Sequence, residues 1–178
     1  FPDMAEIGAS GDPAKAYEVG STIGSYLSDY GFNLDFAPVA DVLINPENTA
    51  IGSRSFGSDP SVVSEMVKEE VLGLQDQQVS AVLKHFPGHG ATTEDSHNGA
   101  AIVNRSLDEL RNTEFLPFEA GIQAGADFVM VGHLQVPQVI PDDTPASLSS
   151  VMITDILRNE LGFDGIVITD SLSMTLCL

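Results

Sequence analysis

The sequence predicts an α/β fold with parallel strands, and two observations support this prediction. Four stretches with helical periodicity alternate with four short apolar stretches along the 178 residues, and such alternation is typical of βα units. Each apolar stretch also leads into a polar residue capable of chemistry, as at the ligand-binding edge of a parallel sheet.

The first two helices are predicted from Asp-Pro pairs, in which the aspartate caps the helix and the proline occupies its first turn. Asp12-Pro13 begins a helix that ends at Gly31, and the apolar stretch FNLDFAPVA (32–40) follows as a buried strand. Asp59-Pro60 begins a second helix, and VSAVLKHF (79–86) is the strand that follows it.

The third helix is predicted from a capping box, since Ser106 and Glu109 have the Ser-x-x-Glu spacing. We expect this helix to run to about Ala124 with a kink at Pro117. The strand ADFVMVGH follows at 126–133.

The fourth helix, VMITDILRNEL, is predicted to be capped by Ser149 or Ser150 and closed by Gly162. The last strand, GIVITD, covers 165–170. Helix and strand thus alternate four times.

Polar residues at the carboxyl ends of these strands form the candidate site. They are Asp41, Lys84, His85, His133 and Asp170. Because the loops at this edge of a parallel sheet converge, we expect these side chains to surround a pocket.

Composition excludes several classes of function. With 43% hydrophobic and 19% charged residues the chain is globular, and it contains no apolar run long enough to span a membrane. The net charge of −19 would repel phosphate backbones and anionic lipid, so neither nucleic acid nor membrane is an expected partner. A single cysteine excludes an intramolecular disulfide framework, and the sequence does not indicate the compartment.

Three of the four histidines lie within KHFPGHGATTEDSH (84–97), which leaves open a metal site, an acid/base loop or a polar turn. His85 and His89 have the four-residue spacing of zinc ligands on a helix, but Pro87-Gly88 between them prevents that helix. A metal-dependent barrel hydrolase remains an alternative, with the candidate ligands His85, His97, His133 and Asp170.

Four segments of the chain together resemble glycoside hydrolase family 3, and within it the bacterial β-N-acetylhexosaminidase branch of the NagZ type. They are KHFPGHG, DSH, GSRSFG and GFDGIVITDSLSM. The DSH segment separates this branch from the glucosidases of the family. The resemblance implies a TIM-type (β/α) barrel that is incomplete, with about four βα units present.

On this resemblance, residues 1–178 are a partial catalytic barrel domain. A whole barrel takes about 250 residues and eight strands, so we expect a central fragment of a longer enzyme, whose own activity is open. Exposed strand edges and an apolar face would favour self-association.

The resemblance implies a retaining enzyme that hydrolyses terminal β-linked N-acetylglucosamine through a covalent glycosyl-aspartate. Asp170 is then the nucleophile, and His97 is the acid/base with Asp95 as its partner, because a nearby carboxylate favours imidazolium. From the residues alone, Asp170 could equally cap the next helix, and Asp95-Ser96-His97 could be a polar surface turn.

Arg54, Lys84 and His85 are the sugar-binding residues that the resemblance implies. The expected partner is a carbohydrate derived from peptidoglycan or chitin, as in bacterial peptidoglycan recycling, and no cofactor or metal is expected. His133 and Asp41 face the pocket without an assigned catalytic role, and His89 is expected to hold its own loop by hydrogen bonds.

Three further functions stay open beside this one. The chain could belong to another glycosidase of family 3, to a glycoside phosphorylase that uses phosphate as the acceptor, or to a non-catalytic sugar-binding or assembly module.

Overall fold

The computed structural model describes residues 1–92 and 101–174, and a parallel sheet of four strands lies at its centre. The strands, numbered along the chain, are β1 (Leu34–Asp35), β2 (Ser80–Phe86), β3 (Ala101–Ile102), β4 (Phe128–Val131), β5 (Leu134–Gln135) and β6 (Ile166–Thr169). The main sheet has the order β1-β2-β4-β6, and all of its pairs are parallel. The short strands β3 and β5 pair separately, also in parallel.

Two helices precede β1, and the other helices lie between successive strands of the main sheet. They are α1 (Met4–Ala9), α2 (Pro13–Asp29), α3 (Pro60–Asp76), α4 (Leu107–Asn112), α5 (Phe115–Gln123) and α6 (Val151–Glu160), the last with π-type hydrogen bonding. Helix α3 packs between α2 and α5. None of the helices within the described residues is both long and apolar enough to cross a bilayer.

The predicted helix starts are confirmed by their caps. The Asp12 carboxylate accepts a hydrogen bond from the Ala14 N–H at 3.2 Å, and Asp59 accepts one from the Ser61 N–H at 2.8 Å. The capping box of Ser106 with Glu109 is complete. These short-range signals depend only on neighbouring residues, which is why the sequence predicts them well.

Helix α6 is capped by Ser149 rather than Ser150. The Ser149 Oγ accepts a hydrogen bond from the Met152 N–H at 3.3 Å, whereas the Ser150 side chain makes no capping bond. Gly162, with φ of 70°, follows the helix as predicted.

The predicted kink at Pro117 is wrong, because the helix divides earlier. Helix α4 ends at Asn112, Thr113 leaves the helical region with φ of −140°, and α5 begins at Phe115. Pro117 therefore lies in the first turn of α5, where a missing N–H breaks no intrahelical hydrogen bond.

The first strand is shorter than the predicted range of 32–40. Only Leu34–Asp35 pairs continuously with β2, and pairing resumes at a single bridge between Val39 and Lys84. Pro38 lies between the two and has no N–H to donate to a ladder.

The hydrophobic core lies between the sheet and the helices that cover it. Leu83 and Val129 of the sheet belong to the same buried cluster as Val67 and Leu74 of α3. Phe86, at the end of β2, packs against Phe115 and Phe118 of α5 with ring centroids 5.6 and 5.2 Å apart. This packing fixes the carboxyl end of β2.

The main sheet does not close on itself within the described residues. Strands β1 and β6 are its two borders. Phe36, just after β1, is 52% exposed, and Ile166 of β6 is 55% exposed. Apolar side chains therefore face outward at both borders.

Candidate active site

The polar residues predicted at the strand ends lie at one edge of the sheet, and two direct contacts join them in pairs. His85 Nδ1 lies 2.8 Å from the Asp41 carboxylate, and His133 Nε2 lies 3.2 Å from the carbonyl oxygen of Asp170. Parallel pairing of β2 with β4 and of β4 with β6 brings these ends together. The strand ends therefore lie at one edge of the sheet, while the expectation that all five side chains surround one pocket stays a prediction.

Asp41 is buried, and its two carboxylate oxygens accept several hydrogen bonds. Oδ2 accepts from the His85 ring at 2.8 Å, and Oδ1 accepts from the His89 N–H at 2.7 Å and the His85 N–H at 3.2 Å. Burial raises the pKa of Asp41. The charge and hydrogen bond of His85, together with His89, outweigh burial and hold the pKa below its usual value.

The loop after β2 is fixed by a second layer of hydrogen bonds. His89 Nδ1 lies 2.8 Å from Thr92 Oγ1, and Asn48 Nδ2 donates to the His89 carbonyl at 2.8 Å. His89 thus holds its own loop, as predicted. We call Asp41, His85, His89, Thr92 and Asn48 the Asp41 cluster.

Gly90 is required by the close approach of two backbones. A Cβ at this position would lie 1.8 Å from the Val42 carbonyl oxygen, which is backbone and cannot move aside. The Gly90 carbonyl in turn accepts from the Asn45 N–H at 3.0 Å. The segment after Asp41 and the loop after β2 therefore pack as one unit.

Asp170 follows β6 directly, and its backbone is fixed on the neighbouring strand end. Its N–H donates to the Val131 carbonyl at 3.0 Å, and its Oδ1 accepts from the Ser171 N–H at 2.7 Å. His133 Nε2 is 3.2 Å from the Asp170 carbonyl and 3.1 Å from the Ser171 carbonyl, while its Nδ1 is 2.7 Å from Ser147 Oγ.

These contacts fix the orientation of the His133 ring. Both groups near Nε2 are carbonyl acceptors, so Nε2 carries a proton and donates to them, while Nδ1 shares a hydrogen bond with the Ser147 hydroxyl. The buried His133 ring therefore holds the backbone of Asp170, and Asp170 itself is half-buried.

A cavity of about 250 Å³ lies beside Lys84. Its lining includes Lys84, Arg54, Ser53, Asp3 and Glu70. We call this space the Lys84 cavity. It brings two of the three predicted sugar-binding residues, Arg54 and Lys84, to one space.

Lys84 is half-buried and forms no ion pair with any carboxylate in the described parts of the chain. Burial lowers its pKa, and the positive charge of Arg54 lowers it further. The negative charges of Asp35, Asp170 and Asp41 oppose this shift. An ammonium group with acidic neighbours but no bonded partner can still bind a ligand.

Arg54 lies in a short 3₁₀ turn, Gly52–Arg54, and is exposed. Its Nη2 donates to the Ala50 carbonyl. Over residues 1–92 and 101–174 it forms no ion pair.

The third predicted sugar-binding residue, His85, is buried and bonded to Asp41 through Nδ1. Only Nε2 of its ring is left for a ligand. Asp95 and His97 lie outside the described residues, so their roles stay predictions. Among the described residues no three His, Cys, Asp or Glu side chains are grouped as metal ligands.

The sequence prediction assigned no function to two residues of this region, His133 and Glu70. His133 was expected to face the pocket, but its hold on the Asp170 backbone depends on strand pairing that no local pattern reveals. Glu70 did leave a signal: it lies on the buried face of α3, at helical spacing from Val63, Val67 and Leu74. A carboxylate on an apolar helical face needs a partner or a function.

The model of the glycosyl hydrolase family 3 N-terminal domain matches residues 1–177. A beta-hexosaminidase of Stenotrophomonas maltophilia strain K279a is 44% identical over 180 residues, covering 98% of this chain and 52% of that protein. The chain thus spans about half the length of these curated relatives.

Two solved structures agree with this match. The family 3 beta-N-acetylglucosaminidase of Paenibacillus sp. FPU-7 superposes with a TM-score of 0.95 at 45% identity, over 98% of this chain and 33% of that one. Native NagZ of Neisseria gonorrhoeae superposes with a TM-score of 0.89 at 35% identity, over 97% of this chain and 52% of that one. The predicted fold class, an incomplete (β/α) barrel, is confirmed by these likenesses.

Proposed function

The chain belongs to the glycosyl hydrolase family 3 N-terminal domain family, and from this premise we propose that it carries the nucleophile and the sugar-binding residues of a retaining β-N-acetylhexosaminidase. The proposed substrate is a terminal β-linked N-acetylglucosamine on a saccharide derived from peptidoglycan or chitin. Relatives named beta-hexosaminidase at 42–44% identity support this substrate class. In this proposal, residues 1–178 form part of the catalytic barrel domain of such an enzyme.

The observation that carries the proposal is the placement of Asp170. Its backbone is held by Val131 and His133, and its carboxylate lies at the edge of the sheet where Lys84 also lies. A nucleophile needs a fixed position, and these backbone contacts supply it.

In the first step, an Asp170 carboxylate oxygen attacks the anomeric carbon, and the bond from that carbon to the leaving oxygen breaks. The protonated His97 ring gives its proton to the leaving oxygen, and a glycosyl ester of Asp170 forms. Asp95 has the proposed role of stabilising the imidazolium before this transfer.

In the second step, water attacks the anomeric carbon and the ester bond to Asp170 breaks. The neutral His97 accepts a proton from that water, so the free carboxylate and the imidazolium are both restored. Two displacements on one carbon keep the β configuration of the sugar.

Sugar binding is proposed for Arg54, Lys84 and His85. Lys84 and Arg54 line one cavity and can both donate to hydroxyl oxygens. With Nδ1 of His85 bonded to Asp41, its Nε2 is the atom that can meet the ligand.

The test is hydrolysis of a chromogenic β-N-acetylglucosaminide beside the matching β-glucoside, by this chain and by a length-completed form. We expect the length-completed form to cleave the acetylated sugar alone. Asp170→Asn should lower kcat by about six orders of magnitude, as the loss of a catalytic nucleophile does elsewhere, and His97→Ala should abolish most of the turnover.

Ser173→Ala is a matched control, because Ser173 is exposed near Asp170 and bonds only to Ser171 among the described residues. Turnover of neither sugar by the length-completed form would contradict the proposal. Release of a sugar phosphate only when inorganic phosphate is present would replace hydrolysis with phosphorolysis.

The open borders of the sheet also support the proposal that the isolated chain self-associates. Phe36 and Ile166 expose apolar surface at β1 and β6. Sedimentation velocity over a range of concentrations tests this, and a monomer at every concentration would contradict it.

A further inference from the structure

Glu70 is a buried acid that the proposed reaction does not use. Its side chain comes from α3, only 4% of the residue is exposed, and it lines the Lys84 cavity. Its Oε2 atom is buried and receives no hydrogen bond from the described residues. Buried polar atoms are nearly always bonded in native proteins, so this one needs a physical explanation.

Lys84 lines the same cavity and lacks a carboxylate partner among the described residues, as Glu70 Oε2 lacks a donor there. Its ammonium carries three donors, yet no carboxylate of the described residues pairs with it. Within the described residues, a carboxyl oxygen with no donor and an ammonium with no paired carboxylate thus line one space. A hydroxyl group satisfies both at once, because it donates one hydrogen bond and accepts another.

We propose that Glu70 is a positioning residue for Lys84, and that the two groups together bind one hydroxyl of the saccharide. The binding of a saccharide hydroxyl rests on the function proposed above. The positioning of Lys84 by Glu70 concerns only the chain itself, so it can be tested without any sugar.

The charges around the cavity favour this pairing. Asp35 of β1, Arg54 of the 3₁₀ turn and Asp3 before α1 are the other charged residues that face Glu70 or Lys84 from neighbouring elements, with Asp41 and Asp170 beyond them. Burial and the charge of Asp35 raise the pKa of Glu70 to about 8, and the charge of Lys84 opposes this. Glu70 therefore carries a proton at pH 7 and gains a charge within reach of Lys84 at higher pH.

The chain has only three lysines, Lys15, Lys68 and Lys84, so lysine labelled with ¹³C at Cε gives three NMR signals. Lys84→Arg assigns the third. We expect the Lys84 signal to show a second inflection near pH 8, where Glu70 ionises. Glu70→Gln should remove this inflection and lower the Lys84 midpoint by about one pH unit, since a nearby carboxylate favours the ammonium form.

Glu69→Gln is the matched control. Glu69 is the preceding residue of α3, and its carboxylate lies 3.7 Å from the Lys68 ammonium. It should leave the Lys84 titration unchanged. An unchanged Lys84 curve in Glu70→Gln, or an equal change in Glu69→Gln, would overturn the positioning role. If Glu70→Gln disturbs all three signals, Glu70→Met, of similar volume, replaces it with the same expectation for Lys84.

Addition of N-acetylglucosamine to the same samples tests the binding role. We expect the wild-type Lys84 signal to move on saturation, and Glu70→Gln to raise the dissociation constant about tenfold, the upper range for one hydrogen bond between neutral groups. An unchanged dissociation constant overturns the binding role of Glu70. No effect of the sugar on wild-type Lys84 counts against the proposed function, while the titration still decides the positioning role.

Discussion

Two groups of charged and polar residues lie at the same edge of the sheet and differ in how their atoms are bonded. In the Asp41 cluster, both carboxylate oxygens of Asp41 accept hydrogen bonds from His85 and His89. In the Lys84 cavity, Lys84 has no carboxylate partner and Glu70 Oε2 has no donor within the described residues.

This difference indicates that the Asp41 cluster stabilises the fold, whereas the Lys84 cavity is suited to binding a ligand. A buried network with every atom bonded rigidifies the chain, whereas unbonded buried groups cost stability until a ligand meets them. The pKa values follow the same division, since Asp41 lies below its usual value and Glu70 above it. Substitution of these two carboxyls should therefore change stability in opposite directions.

The largest expected effect is that of Asp41→Asn. Asparagine keeps one acceptor oxygen but replaces the other with an NH2 group, so at least one of the donors from His85 and His89 loses its acceptor, and breaking a buried pair costs about 3–5 kcal/mol. The urea midpoint of unfolding should fall accordingly, with an unchanged slope. A loss below about 1 kcal/mol would mean that the cluster does not hold the loop.

The same substitution should depend on pH in a defined direction. The pKa of Asp41 in the fold lies below the unfolded value of about 3.9. Its stabilisation is therefore fully present above that value and is lost as the pH falls through the folded pKa. The difference in unfolding free energy between wild type and Asp41→Asn should be constant from pH 5 to 7 and shrink towards pH 2, and a difference that grows on acidification would contradict this.

Glu70→Gln should act in the opposite direction and stabilise the chain. The folded pKa of about 8 lies above the unfolded value of about 4.3, so wild-type stability is lost as the pH rises from there through 8. We expect a gain of about 1–3 kcal/mol at pH 8.5 and a smaller one at pH 5.5, from thermal unfolding at both. Destabilisation at pH 8.5 would show that Glu70 is already well bonded.

The smallest expected change in stability is that of Lys84→Met. A half-buried ammonium that pairs with no carboxylate of the described residues contributes little, and methionine keeps most of the apolar stem, so the free energy of unfolding should shift by less than about 1 kcal/mol. N-acetylglucosamine binding, followed by calorimetry, should nevertheless be lost. A large loss of stability with retained binding would show that Lys84 stabilises the fold and does not bind the sugar.

Local signals predicted much of the fold. The Asp-Pro caps and the capping box at Ser106 depend on residues adjacent in sequence, and they were placed correctly. The position of the break between α4 and α5 and the short β1 were not, because they depend on which backbone groups find partners elsewhere.

The candidate site was predicted less completely than the fold. The alternation of strands indicated that Asp41, Lys84, His133 and Asp170 would converge, and the structure brings them to one edge. No sequence pattern indicated that Asp41 would bond to His85, or that His133 would hold the Asp170 backbone, because these contacts join residues 44 and 37 positions apart. Tertiary pairing alone decides which polar side chains become bonded and which stay available.

The fit between Gly90 and the Val42 carbonyl has a consequence for engineering. Because one backbone occupies the volume that a side chain of the other would need, residues 41–45 and 85–92 form a single transplantable cassette. Grafting the histidine loop from another scaffold without its counterpart after β1 would introduce a steric mismatch. Specificity can be redesigned more safely at the exposed Arg54 than at Glu70, because a Cβ at Gly20 would lie 2.4 Å from the Glu70 carbonyl oxygen and the two backbones there are also closely packed.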